Sequence, residues 1–208
     1  MYTFIFDIDG TITPVGGPIP KLMELVFIRR MFDRKFYLVS GSDYARISGQ
    51  VGEKVLELSA GCFASCGTQM YVNGVLEWSN DTVFDNRIYK YLQDYIDNSP
   101  FSYKYGNHIV DRKTSINFSV SGRNCPYNMR SKYIEYDYNL EDRFNIKKQL
   151  ESLFDVDVFL GGTLSVDIVP KGAGKHLIFD RMIGDFQFVF FGDRCFEGGN
   201  DKGLSDVI

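Results

Sequence analysis

Two aspartates stand close together near the N-terminus, Asp7 and Asp9, at the end of an apolar run and just before Gly10 and Thr11. An aspartate, with a reference pKa near ~3.9, is ionised at neutral pH and can attack phosphorus without a base to activate it. Asp9 can reach the same space once the chain leaves the run, where its carboxyl would protonate a leaving oxygen and later deprotonate an acceptor. Gly10 lets the backbone turn sharply, and free amides in that turn would hold phosphate oxygens. Read alone, the same residues also describe a strand that ends in an Asp-Gly turn.

Three further segments offer complementary chemistry. Ser40, with Ser42 and Asp43 after it, follows a second apolar run, and a hydroxyl at a helix start can donate to a phosphate that also meets helix amides; an ordinary helix cap is the plainer reading. Lys175 closes Pro170-Lys171-Gly172-Ala173-Gly174-Lys175 and could neutralise charge between carboxylate and phosphate, although surface lysines are common. Its spacing is too short for a P-loop. Asp193 follows the run ending Phe190-Phe191-Gly192, ahead of the glycine-rich Glu197-Gly198-Gly199-Asn200-Asp201. Oxygen donors of this kind suit a hard cation. Magnesium held by Asp7, Asp193, Asp201, the carbonyl of Asp9 and waters would offset repulsion between Asp7 and an anionic phosphate.

Elements that place these residues can be read from hydrophobic pattern. Thr3 to Ile8, Phe36 to Val39 and Phe186 to Phe191 are apolar on both faces, as strands buried within a parallel sheet are. Helices are expected over Pro18 to Phe32, where Leu22, Leu25, Val26, Ile28 and Met31 follow helical spacing, and over Asp43 to Leu58 with Ser42 as cap. Alternating strands and helices predict an α/β, Rossmann-like parallel sheet, with Asp7, Ser40 and Asp193 at the carboxyl ends where ligands bind. The middle of the chain differs. Asn73-Gly74 predicts a hairpin, helices are expected at Asn86 to Ile96 and Asp142 to Phe154, and alternating segments run from Ile116 to Val120 and Val156 to Leu160. The expected organisation is a catalytic core of residues 1–82 and 169–208 with an inserted α+β cap of residues 83–168.

Composition narrows the function classes. Of 208 residues, 44% are hydrophobic and 24% charged, the balance of a globular chain with a substantial core. A net charge of -4 argues against non-specific nucleic-acid binding. No apolar run is long enough to span a membrane, and the early aspartates exclude a signal peptide, so a cytoplasmic location is expected. Cys62, Cys66, Cys125 and Cys195 form neither a disulfide framework nor, with His108 and His176, a metal-ligand spacing; they are read as reduced, partly buried thiols.

The order of motifs resembles that of the haloacid dehalogenase superfamily, and the whole chain resembles the eukaryotic-type phosphomannomutases. Val39-Ser40-Gly41-Ser42-Asp43 and Phe190-Phe191-Gly192-Asp193-Arg194, with Gly198-Gly199-Asn200-Asp201, carry the likeness in the core. It implies Asp7 as nucleophile, Asp9 as general acid/base, Asp193 as metal ligand and Lys175 as the charge-neutralising lysine. In the cap, Arg112, Arg123 and Arg130 follow the order of the family's phosphate-binding arginines, and Ser165 and Asp167 look like its sugar contacts. Guanidinium groups offer the paired planar donors that a phosphate needs. The expected reaction is interconversion of hexose 1- and 6-phosphates through an aspartyl-phosphate, with Mg2+, the cap closing over the sugar and a homodimer formed through the aromatic-rich cap. Three departures keep a sugar-phosphate phosphatase as the alternative. Thr13 to Gly17 contains no arginine, Ser40 replaces an expected glycine, and the sequence stops at Ile208, where the family continues with a strand and a helix. That missing segment is expected to bear on core stability and on a second cation site.

Overall fold

Phe4, Ile5 and Phe6 of β1 (Tyr2–Asp7) and Phe36, Tyr37, Leu38 and Val39 of β2 (Phe36–Val39) put apolar side chains on both faces of each strand. The computed structural model describes residues 2–182 and 187–208. It divides the chain into two compact units, one running to Asn80 and resuming at Ala173–Ile208, the other Asp81–Gly172. The junctions therefore fall after residues 80 and 172, where the pattern led us to expect 82 and 168.

The first unit is built on a six-stranded sheet ordered β10-β1-β2-β3-β4-β5, with β3 (Gly61–Ala64), β4 (Gln69–Val72), β5 (Val75–Ser79) and β10 (Gln187–Phe191). β10, β1, β2 and β3 run parallel, whereas β4 and β5 are antiparallel additions joined by the Asn73-Gly74 turn. Phe186, expected to begin the last strand, lies outside the described residues. Side chains of period two sort to opposite faces. Phe6, Ile8, Phe36 and Leu38 pack with Phe27 and Met31 of α1 (Lys21–Met31), Ile47 and Val51 of α2 (Tyr44–Val51) and Val55 of α3 (Glu53–Leu58). Ile5, Tyr37, Val39 and Phe63 pack the other face against Ile178, Met182 and Leu204.

Three helical expectations are corrected. The helix expected from Pro18 begins only at Lys21, because Pro20 is held extended, and its buried stripe is Phe27 and Met31 while Leu22, Leu25 and Val26 are exposed. The single helix expected over Asp43 to Leu58 is broken into α2 and α3 at Gly52, whose φ of 80° is a left-handed value that glycine alone adopts freely. Asp43, not Ser42, is the N-cap, since its carboxylate accepts from Arg46 N at 2.9 Å.

The second unit is a four-stranded antiparallel sheet ordered β6-β7-β9-β8, from β6 (Ile109–Asp111), β7 (Ile116–Phe118), β8 (Val156–Gly161) and β9 (Ser165–Pro170). Helices α4 (Asn86–Asn98), α5 (Tyr127–Leu140) and α6 (Asp142–Leu153) bury Leu92, Tyr133, Ile146 and Leu150 against it. Helix α5 was not expected from the pattern. Asp142, buried at the start of α6, accepts from the hydroxyls of Tyr95 at 2.8 Å and Tyr133 at 2.7 Å. Burial pushes its carboxyl up, and the two phenols oppose that shift. Replacing Tyr133→Phe removes one donor from a buried carboxylate and is expected to lower stability by about 2 kcal/mol, read as a reduced urea midpoint at unchanged slope.

Candidate active site

Parallel pairing aligns the strand ends, with Asp7 opposite Val39 of β2 and Phe6 opposite Phe191 of β10. Asp7 is thus the last residue of β1, Ser40 the first after β2, and Asp193 the second after β10. Lys175 opens a 3-10 turn, Lys175–Arg181, beneath this edge. Far from being a surface lysine, its side chain is wholly buried and its Nζ donates to Asp7 Oδ1 at 2.5 Å and to Asp201 Oδ1 at 2.6 Å. Asp201 Oδ2 accepts from Arg194 N at 3.0 Å, and Asp7 Oδ2 has a long contact from the Thr11 hydroxyl at 3.3 Å.

Carboxylate oxygens of Asp7, Asp193 and Asp201 lie within 4.8 Å of one another, with Asp193 the exposed member. Burial pushes the Asp7 carboxyl up to about 7; Lys175 opposes this, and Asp201 and Asp193 add to it. The Asp193 carboxyl is also raised, mainly by burial. Lys175 is raised because the attraction of Asp7 and Asp201 outweighs its burial. One ammonium facing three carboxylates leaves the site short of positive charge, and an all-oxygen donor set fits a hard divalent cation. Asn200 Oδ1, in the same loop, is buried with no hydrogen-bond partner among the described residues, a further oxygen available there. A cavity of about 480 Å³ opens beside Asp193, lined also by Gly10, Thr11, Phe190 and Cys195.

The loop after β1 departs from expectation. Gly10 N donates to Thr13 O at 2.8 Å, and the amides of Thr11, Ile12 and Thr13 all converge on Ile8 O, so residues 10–13 offer no cradle of free amides. What Gly10 provides is room: its φ is +89°, and a Cβ there would collide with the Asp193 carboxylate. The Asp9 carboxylate is not a member of that acidic cluster. Its Oδ1 accepts from Gly16 N at 2.7 Å and Gln50 Nε2 at 2.8 Å, and its Oδ2 from Ser42 Oγ at 3.5 Å. The Ser40 hydroxyl is buried and accepts from Ser42 N at 3.1 Å, a local turn contact. Gln50 was missed, yet it falls three residues after Ile47 and beside Val51, on the helix face that is otherwise apolar.

In the second unit Asn117 of β7 and Asp167 of β9 are directly paired across the sheet. Asp167 Oδ1 accepts from Asn117 Nδ2 at 2.8 Å and forms a buried ion pair with Arg112 at 3.2 Å. Asn117 Oδ1 in turn accepts from Arg123 at 3.0 Å. Arg112, Arg123 and Asp167 are therefore one network through Asn117, which the sequence reading overlooked. Arg130 donates instead to the Cys125 carbonyl at 3.3 Å, and Ser165 to Gly161 O at 3.3 Å. The cysteines form no disulfide among the described residues; Cys62, Cys66 and Cys125 are buried and Cys195 is exposed. No helix among the described residues is long and apolar enough to cross a membrane.

Solved structures share this fold, a central sheet with parallel strands and an α+β insertion in the chain. The C-terminal domain of a trehalose-6-phosphate phosphatase from C. albicans superposes with a TM-score of 0.61 at 20% identity, covering 91% of this chain and 68% of that one. A subclass IIB sugar phosphatase of the haloacid dehalogenase superfamily gives 0.61 at 17% identity, covering 98% and 84%. The profile of the eukaryotic phosphomannomutase family matches residues 25–206, and the chain belongs to that family. It is 34% identical to a phosphomannomutase of Babesia bovis over 213 residues, 95% of this chain and 85% of the relative. Against that of Encephalitozoon cuniculi it is 33% identical over 210 residues, 95% and 82%.

A carboxyl whose folded-state pKa lies above its unfolded value opposes folding increasingly as pH rises between the two. For Asp7 that window runs from 3.8 to about 7 with Lys175 in place, and it moves higher without the lysine. Lys175→Met is accordingly expected to lose about 3–5 kcal/mol at pH 8 and clearly less at pH 5.5, measured by urea denaturation at both. Gly10→Ala is expected to displace Asp193 and so to shrink the rise in melting temperature that a divalent cation gives the unmodified chain.

Proposed function

We propose that this chain is a magnesium-dependent phosphomannomutase, moving phosphate between the 1- and 6-hydroxyls of mannose through an aspartyl-phosphate on Asp7. The observation that carries the chemistry is the buried Lys175 held between Asp7 and Asp201. Lys175 occupies Asp7 Oδ1, leaving Oδ2, with only the long Thr11 contact, as the attacking oxygen. Asp9 supplies the proton to the leaving oxygen and removes one from the acceptor hydroxyl. Asp7, Asp193 and Asp201, with the Asp9 carbonyl, would hold magnesium, which would supply charge neutralisation for the incoming phosphate. Residues 81–172 serve as the substrate-specificity unit in this reading. Arg112 and Arg123, ordered through Asn117, and Arg130 bind the phosphate remote from Asp7, and Ser165 and Asp167 contact the sugar. Exposed Tyr127 and Tyr138 on α5 favour self-association through this unit.

Incubation with mannose 1-phosphate, a hexose bisphosphate and Mg2+ is expected to yield mannose 6-phosphate, resolved from inorganic phosphate by enzymatic assay. Free phosphate as the sole product would establish a phosphatase instead. Asp7→Asn is expected to lower turnover by about 10⁴-fold or more, and chelation of Mg2+ to abolish it reversibly.

A further inference from the structure

We infer that Gln50 is the positioning residue for Asp9, orienting its carboxyl so that Oδ2 carries the transferred proton; this rests on the phosphoryl-transfer reading above. Gln50 is buried on α2 and fastens the segment after β1 to that helix. Its Nε2 donates to Asp9 Oδ1 at 2.8 Å and to Gly17 O at 3.3 Å, and its main-chain oxygen accepts from Ile19 N at 2.7 Å. Its Oε1 has no hydrogen-bond partner among the described residues. The side-chain orientation is nonetheless unambiguous, because a flipped amide would set its oxygen against a carboxylate and a carbonyl. A buried amide that leaves its own oxygen unsatisfied while donating to Asp9 is oriented by that acceptor.

The two oxygens of Asp9 are thereby made unequal. Oδ1 receives N–H groups from both Gly16 and Gln50, which donate and cannot accept, so no proton sits there. Among the described residues Oδ2 meets only the Ser42 hydroxyl, at 3.5 Å, a group that can donate or accept. In the first half-reaction Oδ2–H gives its proton to the ester oxygen as the Asp7–phosphorus bond forms and the phosphorus–ester oxygen bond breaks. In the second, Oδ2 takes the proton of the attacking hydroxyl as that oxygen bonds phosphorus and the Asp7–phosphorus bond breaks. Gln50 touches neither substrate nor reacting atoms, and acts through Asp9.

The test compares Gln50→Met, close in size and without the donor, on two substrates with the full chain and Mg2+. With mannose 1-phosphate, kcat is expected to fall by about 30-fold with KM within about threefold, as loss of oriented acid/base catalysis requires. With 2,4-dinitrophenyl phosphate, whose leaving group departs without a proton, the burst of dinitrophenolate is expected to stay within about threefold of the unmodified chain. Placed in an Asp9→Asn background, Gln50→Met is expected to add nothing. Equal losses on both substrates, or losses that multiply with those of Asp9→Asn, would overturn the inference. Should Gln50→Met fail to fold by circular dichroism, Gln50→Glu retains the shape and sets a carboxylate against Asp9. The same substrate-selective loss is expected from it, and wild-type turnover of mannose 1-phosphate would refute the role. Turnover by Asp7→Asn would instead sink the reaction itself, whatever Gln50 does.

Discussion

One lysine ammonium, shut away from water between two carboxylates, sets the terms for the catalytic unit. Removing such a charge from water costs several kcal/mol, and only close, well-directed partners offset it. Lys175 finds them in Asp7 and Asp201, which arrive from opposite ends of the chain. The sheet order places β1 beside β10, so that both acids can meet under one edge. Asp193 then joins as a third, more exposed carboxylate, so that three acids face one ammonium. Gly10 admits Asp193 to that position by lacking a side chain.

The second unit solves a similar problem with a different backbone. There a buried arginine, Arg112, is paired with Asp167, and the antiparallel register sets Asn117 directly across from that acid. Asn117 offers a donor to Asp167 and an acceptor to Arg123, so one amide orders groups of opposite charge. In both units a neutral amide, Gln50 or Asn117, is hydrogen-bonded to charged side chains. Such amides do not titrate, and each offers both a donor and an acceptor, which suits them to holding other groups still.

Residues at strand ends were legible because strands covered on both faces leave unbroken apolar runs, and polar residues just beyond them stand out. Asp7, Ser40 and Asp193 were found that way. Lys175 was legible as chemistry but not as a buried group, since its burial depends on partners up to 168 residues away in sequence. Gln50 and Asn117 were hidden by the same logic in reverse, as polar residues inside apolar patterns read as interruptions. The break at Gly52 was invisible because apolar spacing continues across it, from Val51 to Val55. Helix α5 escaped because its tyrosines and isoleucine lie on several faces, Tyr133 buried while Tyr127, Ile134 and Tyr138 are exposed. The amides of residues 10–13 were expected to be free because nothing in an Asp-Gly turn foretells that they close on the Ile8 carbonyl.

Placing β1 and β10 side by side has a consequence in time. On the ribosome, at about 5–20 residues per second, roughly 10 to 40 seconds separate the first strand from its last neighbour. During that interval β1 can pair with β2, but its other edge has no partner, and until residue 175 is made Asp7 has no lysine. The insertion, a contiguous stretch with short-range antiparallel pairing, can fold on its own schedule while the sheet waits. Nascent chains therefore hold every residue of the insertion before Lys175 and Asp201 are made. The full cluster of Lys175 with Asp7 and Asp201 can assemble only when synthesis has passed Asp201.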